Sequence, residues 1–160
     1  MSLESELLTK SIDILKQSDY EIFSNRFPDV ELCFELIAKH RLQVYPSLLI
    51  KIIENIHSIK PYIINELKLL SRLMAAIPII IGNENRRSKL SDDSLFIRDD
   101  LISLNINTFS KIVKNPQLPL AIAKQGGLFI DIDGEKLARL RTEKGIDRKS
   151  TRLNSSHRIR

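Results

Sequence analysis

The chain has 160 residues, is 42% hydrophobic and 28% charged, and carries a formal net charge of +5. That size and balance suit one globular domain, or one domain with a small appendage, and argue against a disordered or fibrous chain. Its single cysteine, Cys33, excludes an internal disulfide, and no apolar run reaches the length of a membrane span. Without a signal-peptide pattern at the start, the expected setting is the cytoplasm, with no membrane partner. The charge does not by itself argue for nucleic acid. Residues 147–160 contribute +4 of it, and the preceding body is close to neutral.

Leu3 to Lys16 place Leu3, Leu7, Leu8, Ile12 and Leu15 at helical spacing, which predicts an amphipathic helix. Asp19 to Ser24 alternate as a short strand, and Phe27-Pro28-Asp29 reads as a turn. Glu31 to Lys39 alternate through Leu32, Phe34 and Leu36 and predict a second strand. Pro46 interrupts the next candidate, so its paired part is expected to start later. Leu48 to Ile53 are nearly all apolar, as in a central strand covered on both faces. Ser58 is the expected cap of the longest helix, whose core stripe is Ile59, Ile63, Leu67, Leu70 and Met74. Ile77 to Ile81 follow as another buried strand. A helix leaving one such strand and returning to another beside it implies a crossover and a mixed sheet.

Asn83 to Asp93 read as a polar surface loop, and Ser94 to Arg98 as a small strand. Ile102 to Ile106 alternate weakly. Asn107 is the expected cap of a short helix bearing Phe109, Ile112 and Val113. Leu120 to Ala123 are expected to pair with Leu128 to Ile132 across a turn at Gly126-Gly127. The next stretch, through Ile146, becomes a capped helix. Asp133 is the N-cap, Leu137 and Leu140 share a face, and Gly145 stands where a left-handed C-terminal cap is wanted.

The residues 126–146, GGLFIDIDGEKLARLRTEKGI, resemble the start of a Cro-type (XRE family) helix-turn-helix domain. With the preceding chain they are similar to an archaeal family of HTH-type transcriptional regulatory proteins, over roughly residues 3 to 146. That resemblance implies an α/β N-terminal domain over 1–123 and a hairpin or linker over 124–133. The first helix of an incomplete all-α HTH domain then occupies 134–146. It implies DNA-binding transcription regulation, double-stranded DNA as the partner of the complete HTH domain, and a homodimer as an open option. Arg139, Arg141 and Lys144 would be its phosphate contacts, since the first helix of such a domain crosses the DNA backbone while the next reads bases.

The tail 147–160 departs from that pattern. Thr151 and Arg152 stand where a Leu-Ala pair should face the first helix. The segment DRKSTRLNSSH is similar to a translated sequencing adapter, so a non-native or disordered tail is expected, with the chain a fragment truncated within the HTH domain. On that reading it would bind operator DNA weakly or not at all.

The order helix, strand, strand, strand, helix, strand resembles the restriction-endonuclease-like core. Active members of that fold place an acid on one strand and an acid-x-Lys on the next. Here Glu35 and Lys51 take the first and last of these positions, but Leu49 stands where the middle acid belongs. A hydrolytic Mg²⁺ usually needs at least two convergent carboxylates. Glu35 is therefore expected to be a partly buried carboxylate with Lys51 as its counter-charge, and the chain is expected to be no enzyme. His40, His57 and His157 do not combine with Cys33 at zinc-like spacing, and no phosphate loop is present. No metal, cofactor or catalytic residue is therefore expected. Arg86, Arg87 and Lys89 form a small basic cluster in a loop. A divergent nuclease-like domain and a stand-alone interaction domain are the alternatives.

Overall fold

The computed structural model describes residues 2–24, 30–116, 121–124, 127–131, 139, 142, 145 and 156–159. The first helix, α1 (Leu3–Gln17), is capped by Ser2, whose side chain accepts from the Ser5 N–H. A meander follows: β1 (Tyr20–Ser24), β2 (Leu36–His40) and β3 (Ser47–Ile52), paired antiparallel. A helix, α2 (Pro61–Leu73), then crosses over to β4 (Ala76–Ile81), which lies parallel to β3 in a register running from Ser47 opposite Ala76 to Ile52 opposite Ile81. The order α1-β1-β2-β3-α2-β4 is the restriction-endonuclease-like order expected above.

A hairpin of β5 (Ser94–Arg98) and β6 (Leu101–Leu104) joins through β6, parallel to β4, and α3 (Ile106–Lys114) follows it. Strands β7 (Ala121–Lys124), β8 (Gly127–Asp131) and β9 (Ser156–Ile159) extend the described sheet, whose order is β1-β2-β3-β4-β6-β5-β7-β8-β9. The sheet is mixed, as the crossover predicted. No helix of the described residues is long and apolar enough to cross a membrane.

The strand period sorts the core into two layers. Leu48, Ile50 and Ile52 of β3 face one side, where Leu7 and Leu15 of α1 and Phe109 of α3 pack. Leu49 faces the other, with Ile63 and Leu67 of α2 and Ile80 of β4. Five of the six residues of β3 are buried, which is why its sequence shows no polar alternation.

Several boundaries differ from expectation. The strand predicted from Glu31 begins only at Leu36. The β1 ladder ends at the pair Ser24–Leu36; before it, Glu35 still donates its N–H to the Ile50 carbonyl of β3, while Glu31 is exposed and reaches Lys60 and Tyr62. Ser58 does not cap α2. Asn55 caps a short 3₁₀ turn, Ile56–Ser58, by accepting from the His57 N–H, and Ser58 Oγ donates back to the Asn55 carbonyl. The helix starts at Pro61, whose fixed φ suits a first turn, and with 13 residues it is shorter than α1 with 15. Met74 is its C-terminal cap, outside the core stripe. Asn105, not Asn107, caps α3: its Oδ1 accepts from the Thr108 N–H, while its Nδ2 donates to the Leu90 carbonyl and to Asp92. The loop 83–93 is polar at its surface, yet Leu90 is buried within it. The turn at residues 27–29 and most of the 134–146 helix lie outside the described residues.

Candidate functional site

The register of the β2–β3 ladder, Leu36 opposite Ile50 and Ile37 opposite Leu49, sets Glu35 across from Lys51 at the point where β2 begins. Lys51 is buried, its side chain 8% exposed. Its Nζ donates to Glu35 Oε1 at 2.7 Å and to the Leu32 carbonyl at 3.3 Å. Glu35 Oε2 accepts from the Ile52 N–H at 2.6 Å, so both carboxylate oxygens are engaged. Such charge-assisted bonds offset the cost of burying the lysine. Burial nevertheless pushes the Glu35 carboxyl above its ordinary value; Lys51 and the Ile52 N–H pull it back only in part, and the Glu4 carboxylate adds to the push. The expected pairing of Glu35 with Lys51 is therefore present.

Glu4, in the first turn of α1, is the site residue that sequence spacing missed. Its Oε1 accepts from the Glu54 N–H at 3.4 Å, which brings the helix start to the end of β3. Nothing in a one-dimensional pattern links position 4 with positions 35 and 54.

Leu49 shares a face with Lys51 and has no solvent exposure; it packs among the α2 residues. It offers no oxygen where a metal-binding acid would stand. Among the described residues no group of three His, Cys, Asp or Glu side chains is placed to hold a metal ion. The donor set does not fit a divalent ion, which takes several hard oxygen ligands.

A second polar cluster lies near the start of α2. Arg98 of β5 donates from Nη1 to His57 Nδ1 at 2.8 Å, and its Nε lies 3.3 Å from Asp99 Oδ2. A guanidinium has no acceptor, so His57 Nδ1 carries the lone pair and a neutral ring has its proton on Nε2. Burial lowers the His57 pKa, with the charges of Arg98 and then Arg86 acting the same way. Arg86, Arg87 and Lys89 are exposed in the loop that Asn85 Oδ1 shapes by accepting from the Arg87 and Ser88 N–H groups. His40 lies in the other layer, between Tyr20 and Tyr45.

Of the three basic residues assigned to DNA, Arg139 is a helical and exposed position; Arg141 and Lys144 lie outside the described residues. Gly145 has φ +63°, the left-handed value a C-terminal cap adopts.

Curated relatives carry the name "Putative HTH-type transcriptional regulatory protein". One from Methanococcus maripaludis is 35% identical over 136 residues, covering 84% of this chain and 39% of that protein. One from Thermococcus gammatolerans is 32% identical over 113 residues, covering 71% of this chain and 35% of that protein. One from Methanothermobacter thermautotrophicus is 31% identical over 117 residues, covering 73% and 37%. The chain thus spans less than half the length of these relatives. No solved structure matches it. A family model described as a PD-(D/E)XK superfamily domain matches residues 4–119. That match runs from the first turn of α1 past the end of α3 and takes in both Glu35 and Lys51, so the chain belongs to the PD-(D/E)XK superfamily.

Proposed function

We propose that the chain is part of a DNA-binding transcriptional regulator of the Cro (XRE) type, in which a nuclease-like α/β domain serves as a non-catalytic module. The observation that carries the second half is Leu49. Its full burial on the same face as Lys51 removes the acid that metal-assisted hydrolysis needs, and the lysine head is already occupied by Glu35 and the Leu32 carbonyl. The regulator names of the relatives above support the transcription-regulation part of this reading. DNA binding would pass through the helix over 134–146, with Arg139, Arg141 and Lys144 on phosphates and a following helix in the major groove.

The nearness of Glu4 to Glu35 favours a second reading, a divergent nuclease that recruits its other acid from α1. Plasmid nicking with Mg²⁺ separates the two. The expected result is no Mg²⁺-dependent cleavage above that of a Glu35→Gln, Lys51→Ala double variant. Cleavage by the wild type that this variant loses would establish the nuclease. Binding to duplex DNA, by a protein that carries this chain with a complete HTH domain, is followed by anisotropy across a salt series. Replacing Arg139, Arg141 and Lys144 with Ser should flatten the log K against log salt slope by about 0.9 for each phosphate no longer neutralised. An unchanged slope and affinity would remove this helix from the interface.

A further inference from the structure

We infer that the outer face of α2 is a self-complementary surface on which a second copy of this chain packs, its α2 antiparallel to the first across a two-fold axis at Leu69. The helix is apolar on two sides. Ile63, Ile64 and Leu67 are buried in the core beneath it, whereas Leu69 and Leu73 are 58% and 74% exposed and Tyr62 is half-exposed. A helix on a protein surface normally carries one apolar stripe and a polar outer face. Single exposed leucines are ordinary, but Leu69 and Leu73 lie one turn apart on the same face. Met74 and Ile77 continue the exposed apolar run from the end of the helix into β4. A run of this kind marks an interaction surface.

The charges on this face say what covers it. Glu66 and Arg72 are exposed, three residues before and three after Leu69, and among the described residues neither takes part in an ion pair. They are six positions apart, so they do not pair with each other along the helix, where partners sit three or four apart. A two-fold axis through Leu69, perpendicular to the helix, reverses the residue order in the second copy. Glu66 then faces Arg72 of the partner subunit, Arg72 faces Glu66 of the partner subunit, and the two Leu69 side chains meet between these pairs. The interface of a symmetric dimer has to match itself in this way. A parallel pairing would instead set glutamate against glutamate and arginine against arginine, which is repulsive. An apolar centre flanked by polar groups that find partners is the make-up of a specific interface. The inference stands whether or not the chain binds DNA.

The test is sedimentation equilibrium of the full 160-residue chain over a concentration series. The wild type should pass from the monomer to the dimer mass as concentration rises. Glu66→Arg and Arg72→Glu each set like charges together twice in the dimer and should weaken association about tenfold or more. Combining the two reversals restores both pairs and should recover the wild-type association. Leu69→Lys, at the centre of the contact, should leave a monomer. All three positions are exposed, so circular dichroism and urea unfolding should show each variant folded. A wild type that stays monomeric at every concentration overturns the inference and gives the face to a different occupant. A dimer that tolerates both single reversals overturns it as well, and so does a folded double reversal that fails to recover association.

Discussion

At Glu35, burial and charge oppose each other, and burial wins. The carboxyl is held above its ordinary value of 4.5 despite the Lys51 ammonium at 2.7 Å. The native state therefore keeps its proton to higher pH than the unfolded chain does. This residue's contribution to stability is best below about pH 4.5 and declines as pH rises through the native value. Urea unfolding of the wild type and Glu35→Gln across that window should show the difference in their midpoints moving against the wild type as pH rises; a difference independent of pH would mean that the ion pair cancels the burial. Gly82 is the other residue under a tight constraint. A Cβ there would meet the Ile53 carbonyl oxygen at 2.8 Å and Ile56 Cγ2 at 2.7 Å. Because one of these is backbone, Gly82→Ala should lower stability by about 1–3 kcal/mol in urea unfolding. The pair Glu35–Lys51 was legible in sequence because a fold pattern names both positions. The tight approach at Gly82 and the neighbourhood of Glu4 were not, since each depends on which distant segment passes by.

Among the elements, apolar runs declared themselves and their ends did not. The strand Ser94–Arg98 and the central strand of Leu48 to Ile52 follow from composition alone. The α3 cap is Asn105, although Asn107 carries the same capping chemistry. It is set by the carbonyl of Leu90, which only the folded loop brings to Asn105; the Asp92 carboxylate accepts from both asparagines. The start of α2 was misplaced for a related reason: Ser58 has the chemistry of a cap, but Pro61 fixes where helical dihedrals begin. The β5–β6 hairpin turns through Asp99 and Asp100 at φ +51° and +61°. Both central residues are thus left-handed, as the type I′ form of a two-residue hairpin turn requires, without the glycine that would signal it. Asp100→Gly should raise stability by up to about 1 kcal/mol, read as a higher urea midpoint, because glycine reaches that region without the Cβ conflict. The ion pair that Asp100 makes with Lys68, at 3.8 Å and on a 97% exposed carboxylate, offsets little of this when it is removed.

The molecule as a whole was readable as far as its crossover. Two apolar strands separated by an amphipathic helix imply a parallel pair, and from it a mixed sheet with helices on both faces. The placement of β6 between β4 and β5 was beyond that reasoning, because period and composition do not say which strand of a hairpin turns inward. The same crossover governs the order in which the chain can be completed during synthesis. On the ribosome, β1, β2 and β3 emerge as a meander, and β3 then presents the side of Ser47–Ile52 that belongs to β4 as an open apolar edge. About thirty more residues must appear before Ala76–Ile81 can close it, and an uncovered edge of this kind invites pairing between nascent chains. A chain stopped after Lys60 should sediment as aggregate, whereas one carried through the end of α3 at Lys114 should remain dispersed. If both stay dispersed, the three-strand meander protects its own edge. Otherwise α2 and β4 act, before any native activity exists, as the chain's built-in chaperone for its own central strand.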